Sequence, residues 1–173
     1  ERAYLNIQLV EQPNGDFGQT IARQLLYTAA MNAFWPVLAG SSDARLAAIA
    51  AKAAKESAYH FRHAAEWTAR LGDGTQESKH RIQAGLDALW EFTDEMFEAH
   101  AEEAALVGLA PAPAALKPAW NAAIDAALAR AGLVRPEDSW MATGGRSGLH
   151  GEHLGHMLAQ MQFLQRAYPG LKW

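Results

Sequence analysis

The sequence predicts an all-α protein built as a helical bundle, and three observations lead there. Alanine, the strongest helix former, supplies about a fifth of the 173 residues. Apolar residues recur at spacings of three and four along several long stretches. Short breaks rich in Gly, Pro and Ser separate those stretches. The length suits one domain, residues 1–173, with enough chain to bury a core.

Residues 1–16 read as an irregular lead-in. Leu5, Ile7 and Leu9 alternate, and Pro13-Asn14-Gly15 marks a turn. Asp16 followed by Gln19 has the spacing of a capping box and starts a helix that runs to about Ala39. Pro36 is expected to kink that helix or to end its regular part, because its ring blocks a bond to the preceding turn. Gly40-Ser41-Ser42 is the break, with Ser42 as the expected N-cap of a helix over 43–71. Leu46, Ile49, Ala53, Ala64, Trp67 and Leu71 lie on its predicted apolar stripe. Gly72-Asp73-Gly74-Thr75 ends it and caps a third helix over 75–106, which carries Ile82, Leu86, Leu89, Thr93 and Met96 on one face. A loop with Pro111 and Pro113 follows. The fourth helix, over 114–131, places Leu116, Trp120, Ile124 and Leu128 on one stripe and stops at Gly132. Residues 133–147 form a Gly- and Pro-containing loop. The last helix, over 148–167, stacks Leu154, Met157, Met161, Leu164 and Tyr168 before Pro169-Gly170. Helices two and three would each be about 40 Å long or more, which suits an antiparallel ferritin-like bundle.

Composition narrows the function. The formal net charge is -4, from 15 Lys and Arg against 19 Asp and Glu, so a dominantly basic nucleic-acid binder is excluded. There is no cysteine, which excludes disulfide frameworks, thiolate catalysis, Cys-based zinc sites and iron–sulfur ligation. No apolar run approaches the roughly 20 residues needed to span a bilayer, and no signal peptide is evident, so a cytoplasmic protein is expected.

Two places concentrate groups able to do chemistry. Glu56 and His60 continue the apolar stripe of the second helix, about 40° apart around its axis. They are expected to be a buried polar pair, and losing one partner of such a pair costs about 3–5 kcal/mol. The C-terminal segment gathers His150, His153, His156 and Glu152 behind Gly144-Gly145-Arg146-Ser147-Gly148. Arg146, His150 and His153 are candidates for an anion, zinc or partner contact, against the plainer reading of a flexible loop and a capped helix start. The row Asp87, Glu91, Asp94 and Glu98 on the third helix reads as a solvated face or a docking face for a basic partner. His63 and Glu66 read as surface.

A di-iron carboxylate bundle makes a sharper demand: a Glu from each of two helices and a Glu-x-x-His from each of two others. Glu56 has Tyr59 at the third position, and Glu152 has Gly155 there. The one strict match, Glu77-Ser78-Lys79-His80, falls in the first turn of a helix, where Glu is common for its interaction with the dipole. The dinuclear motif is not met. No Walker, Gly-x-Gly-x-x-Gly or Gly-x-Ser-x-Gly motif is present. Neither a catalytic residue nor a resident metal or cofactor is expected in this chain.

Several stretches carry a family resemblance. Leu9-Val10-Glu11-Gln12-Pro13-Asn14-Gly15-Asp16-Phe17 and Thr20-Ile21-Ala22-Arg23-Gln24 resemble the PaaC-type phenylacetic acid degradation proteins. So do Leu46 to Ala53, Lys55-Glu56 with Tyr59-His60, Arg70 to Thr75 and Leu89-Trp90-Glu91-Phe92-Thr93. The most specific matches are Thr143-Gly144-Gly145, Gly148-Leu149-His150, Glu152-His153-Leu154-Gly155 and Met161 to Arg166. The resemblance spans the chain and is least distinct between about 99 and 138.

That resemblance implies a ferritin-like fold and the role of structural subunit in a phenylacetyl-CoA epoxidase, a multicomponent monooxygenase of aerobic phenylacetate catabolism. It implies a partner, the homologous catalytic subunit, which carries the di-iron centre and receives reducing equivalents from NADPH through a reductase. It places Thr28 and Met31 where a metal-binding relative has an acid and a histidine, and neither is a usable ligand here. Family members begin with a further helical region, so the bundle is expected to lack its N-terminal helical part and to expose apolar surface that favours self-association. Two readings stand beside the structural subunit: a divergent metal oxygenase using Glu56, His60 and the acidic row, and a module binding an anion or CoA at the Gly-rich loop.

Overall fold

The computed structural model describes residues 4–172, so the first three residues of the predicted lead-in lie outside it. All regular structure among the described residues is helical. The α-helices are α1 (Phe17–Leu38), α2 (Ala44–Gly72), α3 (Gln76–Leu89), α4 (Ala101–Ala104), α5 (Lys117–Ala131), α6 (Glu152–Met161) and α7 (Phe163–Ala167). Single 3-10 turns lie at Gln8–Glu11, Trp90–Phe92, Asp94–Phe97, Pro113–Leu116 and Gly145–Ser147.

Local chemistry sets most helix ends. Asp16 caps α1 by accepting from the Gln19 N–H at 2.9 Å, and the helix continues through Pro36 to Leu38. Asp43, not Ser42, caps α2: its carboxylate accepts from the N–H groups of Arg45 (2.8 Å) and Leu46 (3.0 Å). Ser42 is taken by the Gly108 carbonyl, to which its hydroxyl donates at 3.0 Å. Thr75 and Ser78 cap α3 reciprocally. Gly132, in the left-handed region at φ 61°, stops α5 as predicted.

α1, α2, α3 and α5 form the bundle, and α1 is its centre, packed on the other three. Phe17 at the start of α1 meets Trp67 near the end of α2, ring centroids 5.1 Å apart, which fixes that pair as antiparallel. The α1–α3 crossing is set by glycine: a Cβ on Gly18 would lie 2.9 Å from the Arg81 backbone, and one on Gly85 would lie 2.8 Å from Gln19 Cα. Leu25, Leu26, Ile82, Leu86, Leu89, Trp120 and Ile124 fill the centre. The buried Trp120 indole donates to the Leu26 carbonyl at 2.9 Å, joining α5 to α1. This is the all-α, ferritin-like bundle expected from the sequence.

Three expectations about the helices fail. The predicted third helix ends at Leu89 instead of 106. Past that point the Thr93 hydroxyl takes the Trp90 carbonyl, the Trp90 indole is held by Asp138 at 2.8 Å, and the Ala142 N–H takes the Glu91 carbonyl. Tertiary bonds replace the helical ladder where Trp, Phe and Thr give it little intrinsic support. The last helix begins at Glu152 and breaks at Gln162, and of its predicted stripe Leu154 alone is buried.

The predicted stripe of α2 holds in its second half, where Ala64 is buried and Trp67 and Leu71 pack on the core, and fails in its first half. The fully buried positions of α2 are small, Ala50, Ser57, Ala64 and Thr68, with Phe61, Trp67 and Leu71 packed at their edge, while Leu46, Ile49 and Tyr59 face outward. Small side chains let α1 and α2 approach closely, and a periodicity weighted by large apolar residues does not register them.

Candidate functional site

The burial pattern of α2 settles the first candidate pair. Glu56 and His60 are both exposed and form no buried pair. His60 instead lies beside the exposed Tyr59 ring, which stacks on His63 one turn further along. Glu77 and His80 of the one Glu-x-x-His match are exposed too, and Glu77 is bound by Arg81 at 2.6 Å. The acidic row of the predicted third helix does not exist as one face, since α3 stops within it. Asp87 accepts from Gln83 and Asp94 pairs with Lys117 at 2.8 Å.

The second candidate group assembles in part. Arg146 and His150 enter one network, joined by two carboxylates that no local sequence signal marks. Glu95, in the turn Asp94–Phe97, has 0% of its surface exposed, and Glu11, in the turn Gln8–Glu11, has 3%. A buried carboxylate needs donors, and each of these finds them on segments distant in sequence. Glu95 accepts from the backbone N–H of Gln8 (2.8 Å) with one oxygen and of Arg146 (3.0 Å) with the other. Glu11 accepts from the Asn6 amide (2.7 Å) and His150 Nδ1 (2.5 Å) on one oxygen, and from the Gly151 N–H (3.2 Å) on the other. The two acids thus tie the lead-in, the turns after α3 and the Gly-rich loop together at the foot of α6.

The other ring nitrogen of His150, Nε2, faces the Tyr4 carbonyl at 2.6 Å. With an acceptor at each nitrogen, both must donate, and the ring is an imidazolium. Burial alone would push its pKa down. The Tyr4 carbonyl, the Glu11 carboxylate and the charge on Glu95 outweigh burial and hold it above its ordinary value. His153 is half-buried and takes no part in this network. Gly145 is needed here for space, because a Cβ on it would lie 2.6 Å from the Asn6 carbonyl oxygen and 2.7 Å from Glu95 Oε1.

Arg146 also faces a second feature. Its guanidinium pairs with Glu103 and donates to the Glu98 carbonyl at 3.3 Å. Burial would raise the Glu103 pKa, but Arg146 and the His100 N–H together hold it below the ordinary carboxylate value. This ion pair forms one wall of a cavity of about 450 Å³ between α1 and the loops on either side of α4. Tyr27, Met31 and Phe34 of α1 line it, with Met96 and Phe97 opposite. Thr28, one residue from its wall, is buried with its hydroxyl given to the Gln24 carbonyl.

The buried acids do not fit a di-iron centre. Both oxygens of Glu11 and of Glu95 are already committed to protein donors, and both ring nitrogens of the nearby His150 face acceptors of this chain. No group of three or more His, Asp or Glu side chains among the described residues is arranged to hold a metal ion. None of the described helices is long and apolar enough to cross a membrane.

Residues 1–173 match the family described as phenylacetic acid catabolic protein. The chain is also 47% identical over 175 residues to the C subunit of the 1,2-phenylacetyl-CoA epoxidase of Escherichia coli (strain K12), in an alignment covering 100% of this chain and 71% of that protein. The segments carrying the buried network, from the lead-in to the Gly-rich loop, fall within this alignment, and the chain belongs to the phenylacetic acid catabolic protein family.

Proposed function

We propose that this chain is the structural, non-catalytic subunit of a phenylacetyl-CoA epoxidase, and that it holds and positions a homologous catalytic subunit. The observation that carries this reading is the use of the interior acids. Among the described residues, the buried carboxylates Glu11 and Glu95 bind backbone amides, Asn6 and His150, so they stabilise the fold and leave no ligand set for oxygen chemistry. The di-iron centre then belongs to the partner, with NADPH-derived electrons reaching it through a separate reductase, and this chain carries no cofactor of its own. The cytoplasm suits a protein working with CoA thioesters and a reductase.

The surface supports a subunit role. Leu46, Ile49 and Tyr59 are exposed on α2, and Met161, Phe163, Leu164 and Tyr168 are exposed on α6, α7 and just beyond. Apolar surface of this kind marks protein–protein contact. The test is reconstitution. The purified chain alone should give no epoxide from phenylacetyl-CoA with reductase and NADPH, and adding the catalytic subunit should restore turnover. Epoxidation by this chain without the partner would overturn the reading.

A further inference from the structure

The cavity beside Arg146 is not used by the structural role, and its walls describe what could enter it. We propose that it is a binding site for a small uncharged molecule with one or two apolar rings and a carbonyl oxygen attached to a ring. Its volume of about 450 Å³ lies within the range of small-molecule sites. Most of the wall is apolar, and the rings of Tyr27, Phe34 and Phe97 with the thioethers of Met31 and Met96 favour a flat aromatic guest. Three polar residues line it: Arg146, Asn6, whose carbonyl approaches Gly145 beside Arg146, and Glu103, which is paired with Arg146. Asn6 donates to Glu11 and is not free to bind the guest.

Arg146 selects the head group. It spends two of the five N–H groups of a guanidinium on Glu98 and Glu103, leaving donors for an oxygen acceptor. The ion pair with Glu103 makes the polar side neutral overall. A carboxylate guest would be repelled by Glu103 and would lose hydration against apolar walls, so a neutral carbonyl is the fitting head.

Benzophenone is a direct probe, being uncharged, two-ringed and carbonyl-bearing, and on irradiation it inserts into neighbouring C–H bonds. With the purified full chain, mass spectrometry should place adducts on Met31 and Met96. The exposed Met157 and Met161 report non-specific labelling within the same sample. Val10 stands on the cavity rim with 38% of its surface exposed, so Val10→Trp fills the entrance without touching the core. That variant should lose the Met31 and Met96 adducts and keep its melting temperature. Arg146→Met, which keeps the backbone bond to Glu95, should raise the benzophenone concentration for half-maximal labelling by about tenfold, the effect of one hydrogen bond to a charged donor. 4-Benzoylbenzoate should label the site poorly. Adducts confined to Met157 and Met161, unchanged labelling in Val10→Trp, or equal labelling by 4-benzoylbenzoate would each overturn the proposal.

Discussion

The two halves of this molecule are held together by different forces. From Phe17 to Leu89, and again in α5, the chain is helix packed on helix through apolar side chains, with glycine and alanine at the close crossings. From Trp90 to Ala112, and from Leu133 onward, it is short turns and brief helices. There, Trp90, Phe97 and Leu133 reach into the core, and buried polar bonds add the rest of the fastening: Glu95 to Gln8 and Arg146, Glu11 to His150 and Gly151, Trp90 to Asp138. The Gln83 side chain both donates to and accepts from Val134, at 2.9 Å each way. Arg135 lies over the Trp90 ring at 4.8 Å and binds Asp125 and Asn121. A bundle core loses stability in proportion to what is removed and fails as a unit. A region held by a few buried polar bonds can open locally while the bundle stands.

The largest effect should come from the bundle. Trp120→Ala removes a buried indole that packs on Trp90 and Phe97 and binds the Leu26 carbonyl. The expected cost is about 3–5 kcal/mol, seen in denaturant melts as one cooperative transition at lower midpoint. A midpoint within experimental error of the parent would mean that α5 is not part of the core.

Glu95→Ala should cost less overall but fall in one place. It leaves the N–H groups of Gln8 and Arg146 without their buried partner, but both residues are only partly buried and water can reach them, so the total penalty is about 1–3 kcal/mol. Hydrogen exchange should accelerate in residues 5–12 and 143–155 and stay unchanged in α1 and α2. Uniform acceleration through α1 and α2 would merge the two regions into one cooperative unit.

These two predictions fall on opposite sides of what the sequence makes legible. Helix starts at Asp16 and Thr75, the stop at Gly132 and the core positions Leu86 and Trp120 all follow from caps and periodicity, which are local signals. Glu11 and Glu95 look like ordinary surface acids, because the groups that justify burying them stand 140 and 51 residues away in the chain. Arg146 and His150 stand out by their place near a Gly-rich run, but the carboxylates they bind, Glu103 and Glu11, stand far away in the chain. Glu56 and His60 face solvent instead of the core because the first half of α2 turns Ala50 and Ser57 inward, and Leu46 and Ile49, the large residues that define the stripe there, outward.

pH should separate the regions more gently. The native pKa of His150 lies above its unfolded value, so protonation is worth stability that is fully present below about pH 6.5. That stability is lost as pH rises through the raised native value. Amide exchange around Gly151, corrected for its intrinsic pH dependence, should show protection falling as pH rises above about 6.5, the ordinary histidine value, and His150→Gln should abolish the trend. Protection that increases with pH would contradict the imidazolium assignment.

The smallest effect is expected at the outward face of α2. Glu56→Ala and His60→Ala should each change stability by no more than about 0.5 kcal/mol in thermal melts, since neither side chain is buried. A loss of several kcal/mol would return them to the interior.

The buried acids of this chain tie its irregular segments to one another and do not bind iron. The most direct measurement is metal analysis by mass spectrometry on the chain purified from iron-supplemented cells. Less than about a tenth of an iron per chain is expected; about two irons per chain, the content of a complete di-iron site, would mean that this chain binds the metal after all.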